Sequence, residues 1–317
     1  MPPLIEPRRT FDISRLSAYL ECERMYDFRY EQDLVLDGGR PMGADFGTAI
    51  HSGLEAWYGT GDKDAMRGAF TNKWTELGGD TPEDDTRTCA HGLWILERYV
   101  DNYKVDNWTV RATERAFAVD IPDPDTGEEY WLVGRWDMEV MWNNVITLVD
   151  HKTDKYMGYS TTLKYKPNLQ TLGYIWAAQK LIGPEVSTIV MNAISTAKNK
   201  DARGKARPAV ECFMRVPITY IEEELAEFPM MFIRLAHEIN GTRVSNNWMP
   251  NFGSCSNYGE CAYRRICTQP RSIWPGIIES GYKPQGWSPL TGAGSVISPK
   301  DKTVPAYVYD MGKLKGV

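Results

Sequence analysis

The sequence predicts an α/β protein, a mixed β-sheet core flanked by helices with a helical region before it. Three observations carry the prediction. Residues 14 to 104 place apolar side chains at helical spacing. From about Val110 the pattern turns to runs rich in Val, Ile, Thr and aromatics, cut by the turn sequences Pro122-Asp-Pro-Asp-Thr-Gly127 and Asn143-Asn144. A helical stretch at residues 163 to 181 then separates two such runs, the sign of a crossover connection, so the sheet is mixed rather than purely antiparallel.

Taken in order, residues 14 to 30 form a helix with Ser14 as N-cap and Leu16, Tyr19, Leu20, Tyr26 and Tyr30 as its apolar side. Cys22 lies in its middle, where a lone cysteine is ordinarily a small buried residue. A Gly/Pro-rich link at 38 to 43 leads to a second helix, Ala44 to Tyr58. Phe46, Ile50, Leu54, Trp57 and Tyr58 give that helix an apolar face, and His51 borders it as a packing residue or a ligand. Helices at 62 to 78 and 87 to 104 follow, joined by an acidic loop with Glu83, Asp84 and Asp85. A strand over 112 to 121 and the hairpin after it suggest an antiparallel meander, with Glu114 turned either to a site or to solvent. Past the crossover helix come strands at 187 to 194 and 208 to 216 and a helix from about Thr219 to Asn240.

Composition bounds the function. The chain has 317 residues, 42% of them hydrophobic, with 11 Trp and 17 Tyr, enough for a substantial core. No run approaches the ~18 apolar residues that suggest a membrane helix. The N-terminal residues lack the apolar core of a secretory signal, so a cytoplasmic protein is expected. The net charge of −6 argues mildly against a polyanion as partner. Local placement matters more, and Lys198, Lys200, Arg203, Lys205 and Arg207 stand against one acid, Asp201, in a Gly- and Pro-flanked basic loop.

The hairpin around Asn143-Asn144 holds the candidate chemistry. With a two-residue turn Trp142 faces Val145, and counting outward sets Asp137 opposite Asp150. Alternation gives Asp150 and Lys152 one face. Opposed carboxylates with Cβ atoms about 5 Å apart repel unless a cation sits between them, and a divalent metal supplies one. A longer turn would instead slip the register and send the two aspartates to opposite faces. On the crossover helix Gln170 and Tyr174, four residues apart, share a face.

Six cysteines in a cytoplasmic chain are not expected to pair as disulfides. Cys255, Cys261 and Cys267 cluster with five residues between neighbours, and with a distant fourth such a trio suits an iron–sulfur or metal site.

In this order the residues resemble a known family. A helix with His51, a strand with Gly134-Arg-Trp-Asp137, a strand with Asp150-His-Lys152 and a helix with Gln170-xxx-Tyr174 are similar to the RecB-like branch of the PD-(D/E)XK nucleases. Cys22 and the trio Cys255, Cys261 and Cys267 bracket that core as in its iron–sulfur members. Those include the CRISPR-associated RecB-like exonucleases, the AddB nuclease domain and phage-encoded relatives. The resemblance covers roughly residues 14 to 268. One departure is that the family commonly spaces the first two clustered cysteines by two residues, where this chain has five.

The resemblance implies a restriction-endonuclease-like core over residues 110 to 245 and an N-terminal helical region over 1 to 109. It also implies a cysteine segment over 246 to 268, and leaves 269 to 317 as an extended or partly disordered tail. It further implies a metal-dependent DNA exonuclease working from single-stranded ends. His51, Asp137, Asp150 and the backbone carbonyl of His151 would hold Mg²⁺ or Mn²⁺, and Lys152 would orient or deprotonate the attacking water. Gln170 and Tyr174 would contact the substrate backbone or support the site. Cys22, Cys255, Cys261 and Cys267 would bind a [4Fe-4S] cluster, with zinc as the competing occupant. Its implied partners are DNA and a helicase, recombination or CRISPR adaptation proteins, in a prokaryotic cell or a phage-infected host. A non-catalytic DNA- or partner-binding module with the same fold is the alternative.

Overall fold

The computed structural model describes residues 7–38, 42–80, 87–104, 106–155, 157–198, 204–205, 207–257, 260–286, 288–290 and 296–299. In chain order the first elements are β1 (Thr10–Asp12), α1 (Ile13–Glu21), α2 (Glu23–Tyr26), β2 (Leu34–Leu36), α3 (Met42–Thr60), α4 (Lys63–Glu76) and α5 (Cys89–Asn102). The middle of the chain supplies β3 (Trp108–Pro122), β4 (Glu129–Trp142), β5 (Val145–Asp154), α6 (Tyr159–Leu163), α7 (Leu169–Leu181), β6 (Thr188–Ser195) and β7 (Phe213–Thr219). The last elements are α8 (Glu222–Ala226), α9 (Phe228–Ser245), α10 (Arg264–Cys267), α11 (Trp274–Gly281), β8 (Tyr282–Pro284) and β9 (Val296–Ile297). Two compact units divide these elements. One takes Met1–Arg40, Ala116–Arg135 and Glu222–Val317, the other Pro41–Arg115 and Trp136–Ile221.

The second unit carries the crossover. Its β5 pairs antiparallel with β4 and parallel with β6, and β7 returns antiparallel to β6, so the sheet is mixed as expected. The helices between β5 and β6 make the right of passage for that parallel pair, since parallel neighbours need a long connection. Helices α3, α4 and α5 bury Phe46, Phe70, Trp74, Leu96 and Tyr99 with Ile194 and Phe213 of the strands. Gly92 is obligatory there, because a Cβ at that point would lie 2.0 Å from the Phe70 ring.

In the other unit β1 runs parallel to the first half of β4 and β9 parallel to β3, while β2 pairs antiparallel with β8. Of the expected tail, residues 271 to 284 carry helical turns, α11 and β8. Trp274, Ile277 and Ile278 of α11 pack with Phe28, Leu34 and Tyr263, and residues 300 to 317 lie outside the described residues.

Three predicted helices differ in their ends. Asp12 rather than Ser14 caps α1, its carboxylate accepting the Arg15 N–H at 2.9 Å, and the helix breaks at an extended Cys22. The predicted helix over 163 to 181 starts later, at Leu169, where Asn168 after Pro167 caps α7 through the Gln170 and Thr171 N–H groups, and the short α6 ends at Leu163. The predicted helix from Thr219 is likewise divided, α9 starting with Pro229 in its first turn. Among the described residues no helix is long and apolar enough to cross a membrane.

Candidate active site

The hairpin turn has the predicted length. Asn143 and Asn144 take φ of 50° and 62°, the left-handed pair that a two-residue turn of matching twist requires. Trp142 pairs with Val145, and the ladder runs inward to Met138 and Val149. Asp137 and Asp150 are the next positions in that register. On the other side of β5, Asp150, His151 and Lys152 pair with Met191, Asn192 and Ala193 of β6.

Asp150 is almost fully buried, with 3% of its side chain exposed. Gln170 Nε2 donates to its Oδ1 at 3.2 Å from the first turn of α7, and Lys152 Nζ stands 2.6 Å from its Oδ2. That second contact is a buried ion pair, so Oδ2 is held against the Lys152 ammonium. Asp137 Oδ2 accepts the His151 backbone N–H at 2.7 Å and lies 3.5 Å from His51 Nδ1. Helix α3 brings His51 there by close approach to β5. A Cβ on Gly47 would meet Thr153 Oγ1 at 2.8 Å. Tyr174 sits one turn along α7 from Gln170 and is half-buried.

The two carboxylates are electrostatically opposite. Burial works to raise Asp137, but the neighbouring histidines, Lys152 and the His151 N–H outweigh it and hold the group below the ordinary range. At Asp150 burial prevails over Lys152, and the charge of Asp137 adds to it, so the group is pushed up. Burial lowers Lys152 as well, yet Asp150 and Asp137 keep it above its usual value. Two adjacent acids with affinities driven apart are what a site needs to hold charge on one and share it on the other.

Behind this face lies a polar network that the sequence did not single out. Burial pushes His151 down to about 3, so the ring is neutral at pH 7. Asn192 Nδ2 approaches His151 Nδ1 at 2.7 Å and donates to Tyr99 OH at 2.9 Å. Tyr58 stacks on the His151 ring and shares a hydrogen bond of 2.8 Å with Tyr99 OH. Arg215 Nη2 donates to both hydroxyls at 3.2 Å and, with Nη1, holds Asp106 bidentately at 2.7 and 2.8 Å. The Arg215 guanidinium is itself pressed against the Tyr103 and Trp108 rings. The network locks His151, whose backbone N–H orients Asp137. One signal was available: Asn192 interrupts the apolar run Ile189-Val-Met-Asn-Ala-Ile194.

Other predicted residues are placed less tightly. Glu114 takes a left-handed φ of 47° on β3, a kink rather than a regular strand position. In the basic loop Lys198 and Lys205 are exposed, Arg207 faces Glu211 at 3.7 Å, and Lys200 and Arg203 lie outside the described residues.

The four cysteines share the first unit. Cys22 stands in the break between α1 and α2, Cys255 and Cys261 in turns, and Cys267 at the end of α10. Cys22 Sγ accepts the Asn251 N–H at 3.3 Å, and Cys261 N–H bonds the Cys255 carbonyl. Burial raises the Cys261 and Cys267 thiols. Cys22 and Cys255 add to the first effect, and Cys261 and Cys22 to the second, so the four lie within electrostatic reach. Among the described residues no three His, Cys, Asp and Glu side chains already form a metal-holding group. The donors of the hairpin nonetheless suit a hard divalent cation, being the carboxylate oxygens of Asp137 and the buried Asp150 beside the His51 imidazole.

Among curated proteins none matches the chain. Among solved structures, that of SSO0001 is 14% identical, with a TM-score of 0.40 over 83% of this chain and 87% of its own. A candidate exonuclease from Eubacterium rectale is 11% identical, with a TM-score of 0.47 over 84% and 92%. LHK-Exo in complex with dAMP is 14% identical, with a TM-score of 0.27 over 64% and 97%. The model of the PD-(D/E)XK nuclease superfamily matches residues 10–268, which span the helix of His51, both hairpin strands, α7 and all four cysteines. The chain belongs to the PD-(D/E)XK nuclease superfamily.

Proposed function

We propose that the chain is a metal-dependent deoxyribonuclease that works as an exonuclease on single-stranded DNA ends. The observation that carries the reading is the joining of Asp137, Asp150, Lys152, Gln170 and His51 into one contact set by the hairpin register and the two helices beside it.

His51, Asp137, Asp150 and the His151 carbonyl are the residues that would hold Mg²⁺ or Mn²⁺. A divalent ion there would neutralise charge on the phosphodiester and acidify a water. Lys152 places a positive charge beside Asp150, where it orients the water and offsets charge gathering on the phosphorus oxygens. Gln170 fixes the Asp150 carboxylate through Oδ1, leaving Oδ2 turned to the cations. Tyr174, on the same helix face, supports Gln170 or meets the strand backbone. The imidazole of His51 favours Mn²⁺ over Mg²⁺.

Cys22, Cys255, Cys261 and Cys267 are proposed to hold a [4Fe-4S] cluster, with zinc as the alternative four-thiolate occupant. Such a group would staple stretches some 230 residues apart, and its role is to stabilise rather than to react. A helicase, recombination or CRISPR adaptation partner and a cytoplasmic setting fit this reading.

The test is digestion of 5′- and 3′-labelled single- and double-stranded DNA with Mn²⁺, with circular single strands as the control for internal cutting. The expected result is end-dependent loss of label on linear single strands that Lys152→Ala abolishes. Cutting of circles would replace the exonuclease reading with an endonuclease, and no cutting by the parent protein would leave a binding module.

A further inference from the structure

A second charged cluster lies on the strands that carry Asp137. Glu139 follows Asp137 by two residues on β4, so alternation gives the two side chains one face, about 6.6 Å apart along the strand. Glu139 has no exposed surface, and a lone carboxylate so placed would be costly. Two arginines of β3 meet it: Arg111 Nε is 2.8 Å from Oε1 and Arg115 Nη1 donates to Oε2 at 2.7 Å. Between them the strand passes through the left-handed Glu114, the mark of a bulge, a device that re-aims side chains beside active sites.

Neutralising one buried carboxylate needs only one arginine. Asp106 in the same unit is served in that way, by both prongs of the Arg215 fork. Glu139 instead takes one contact from each of two guanidiniums, each with five N–H donors. The cluster therefore keeps a net positive charge, and its arginines remain 40% and 34% exposed. A strand-borne guanidinium braced by a buried acid loses little freedom on binding, and its planar fork matches phosphate oxygens.

We propose that Arg111 and Arg115, braced by Glu139, seat a backbone phosphate of the nucleic-acid strand next to the one held at Asp137. The inference rests on the nuclease reading and deepens it. The pair offsets locally the repulsion that Asp137, Asp150 and a chain charge of −6 impose on a polyanion. Glutamine at either position can still hydrogen-bond Glu139 while giving up the charge.

The experiment follows binding of a labelled single-stranded oligonucleotide to Lys152→Ala protein across a salt series with Mn²⁺, with and without Arg111→Gln and Arg115→Gln. The double variant should bind at least tenfold more weakly at low salt, with a slope of log K against log salt flatter by about 0.7, the share of one phosphate on a single strand. An unchanged slope and affinity in the folded variant overturn the seat. Should the double variant fail to fold, phenylglyoxal labelling of the unsubstituted protein decides. DNA should slow modification of Arg111 and Arg115 several-fold relative to Arg234 on α9, and equal labelling with and without DNA overturns the proposal. If the unsubstituted protein cleaves DNA while its salt slope ignores both arginines, the seat falls and the nuclease reading stands. If it neither binds nor cleaves, both fall.

Discussion

The hairpin residues of one unit and the four cysteines of the other are both small constellations gathered from distant stretches of chain, but they are assembled in different ways. Asp137, Asp150 and Lys152 owe their positions to strand register, and each is met by another member of its set or by the neighbouring helices. The cysteines stand at helix ends and in turns, where their neighbours are backbone groups such as Asn251 N–H. A sheet ladder specifies side-chain positions from hydrogen bonds alone, whereas turns leave a sulfur's place to whatever it binds. On the proposed function, the first constellation should therefore tolerate the absence of a metal ion with the fold intact, and the second should not.

The largest effect expected from this contrast is on the cysteines. If the proposed cysteine site holds iron or zinc, Cys255→Ser should abolish its retention and cost on the order of 5 kcal/mol in denaturant unfolding, because metal bound at such a site contributes folding energy. Full stability without bound metal would break the contrast. Asp137→Asn should lower DNA cleavage on the order of 10³-fold while its urea midpoint stays near that of the parent. A comparable loss of stability would make the hairpin as ligand-dependent as the cysteines.

Two smaller changes sharpen the comparison. Arg215→Met strands Asp106 and the Tyr58–Tyr99 pair, and should cost about 3 kcal/mol in urea unfolding. If it costs nothing, the network does not brace His151. Asp27, in the cysteine-bearing unit, is pushed up to about 6, mainly by burial. Its folded pKa lies above the unfolded value of 3.8, so folding loses stability as pH rises from about 4 to 6 and stays penalised above. Because the carboxyl is partly solvated, Asp27→Asn should gain only about 1 kcal/mol at pH 7. The gain should vanish by pH 4, and a pH-independent gain would point to packing instead.

The candidate site was legible where it depended on local rules. Asn143-Asn144 announces a two-residue turn, and from that turn the facing of Trp142 and Val145 and the approach of Asp137 to Asp150 follow by counting. Helix ends were less legible, since Asp12 competed with Ser14 as a cap and Asn168 after Pro167 starts α7 six residues beyond the expected position. The order found after residue 268 depends on contacts with Phe28, Leu34 and Tyr263, which no local pattern reveals. Asn192 and Arg215 were missed because each is a lone polar interruption of an apolar strand segment, and Glu139 because two residues from Asp137 it reads as one more strand carboxylate. Their partners, Tyr99, Arg111, Arg115 and Asp106, are far away in the chain or across a turn.

The central claim is that Asp137 and Asp150 form one ion site through the hairpin register. Titrating Mn²⁺ into the protein, followed by the loss of its free electron paramagnetic signal, tests this directly in the parent chain and in Asp137→Asn and Asp150→Asn. The account predicts one Mn²⁺ site in the parent that either substitution weakens strongly, with each variant still folded. Mn²⁺ binding that neither substitution alters would contradict it.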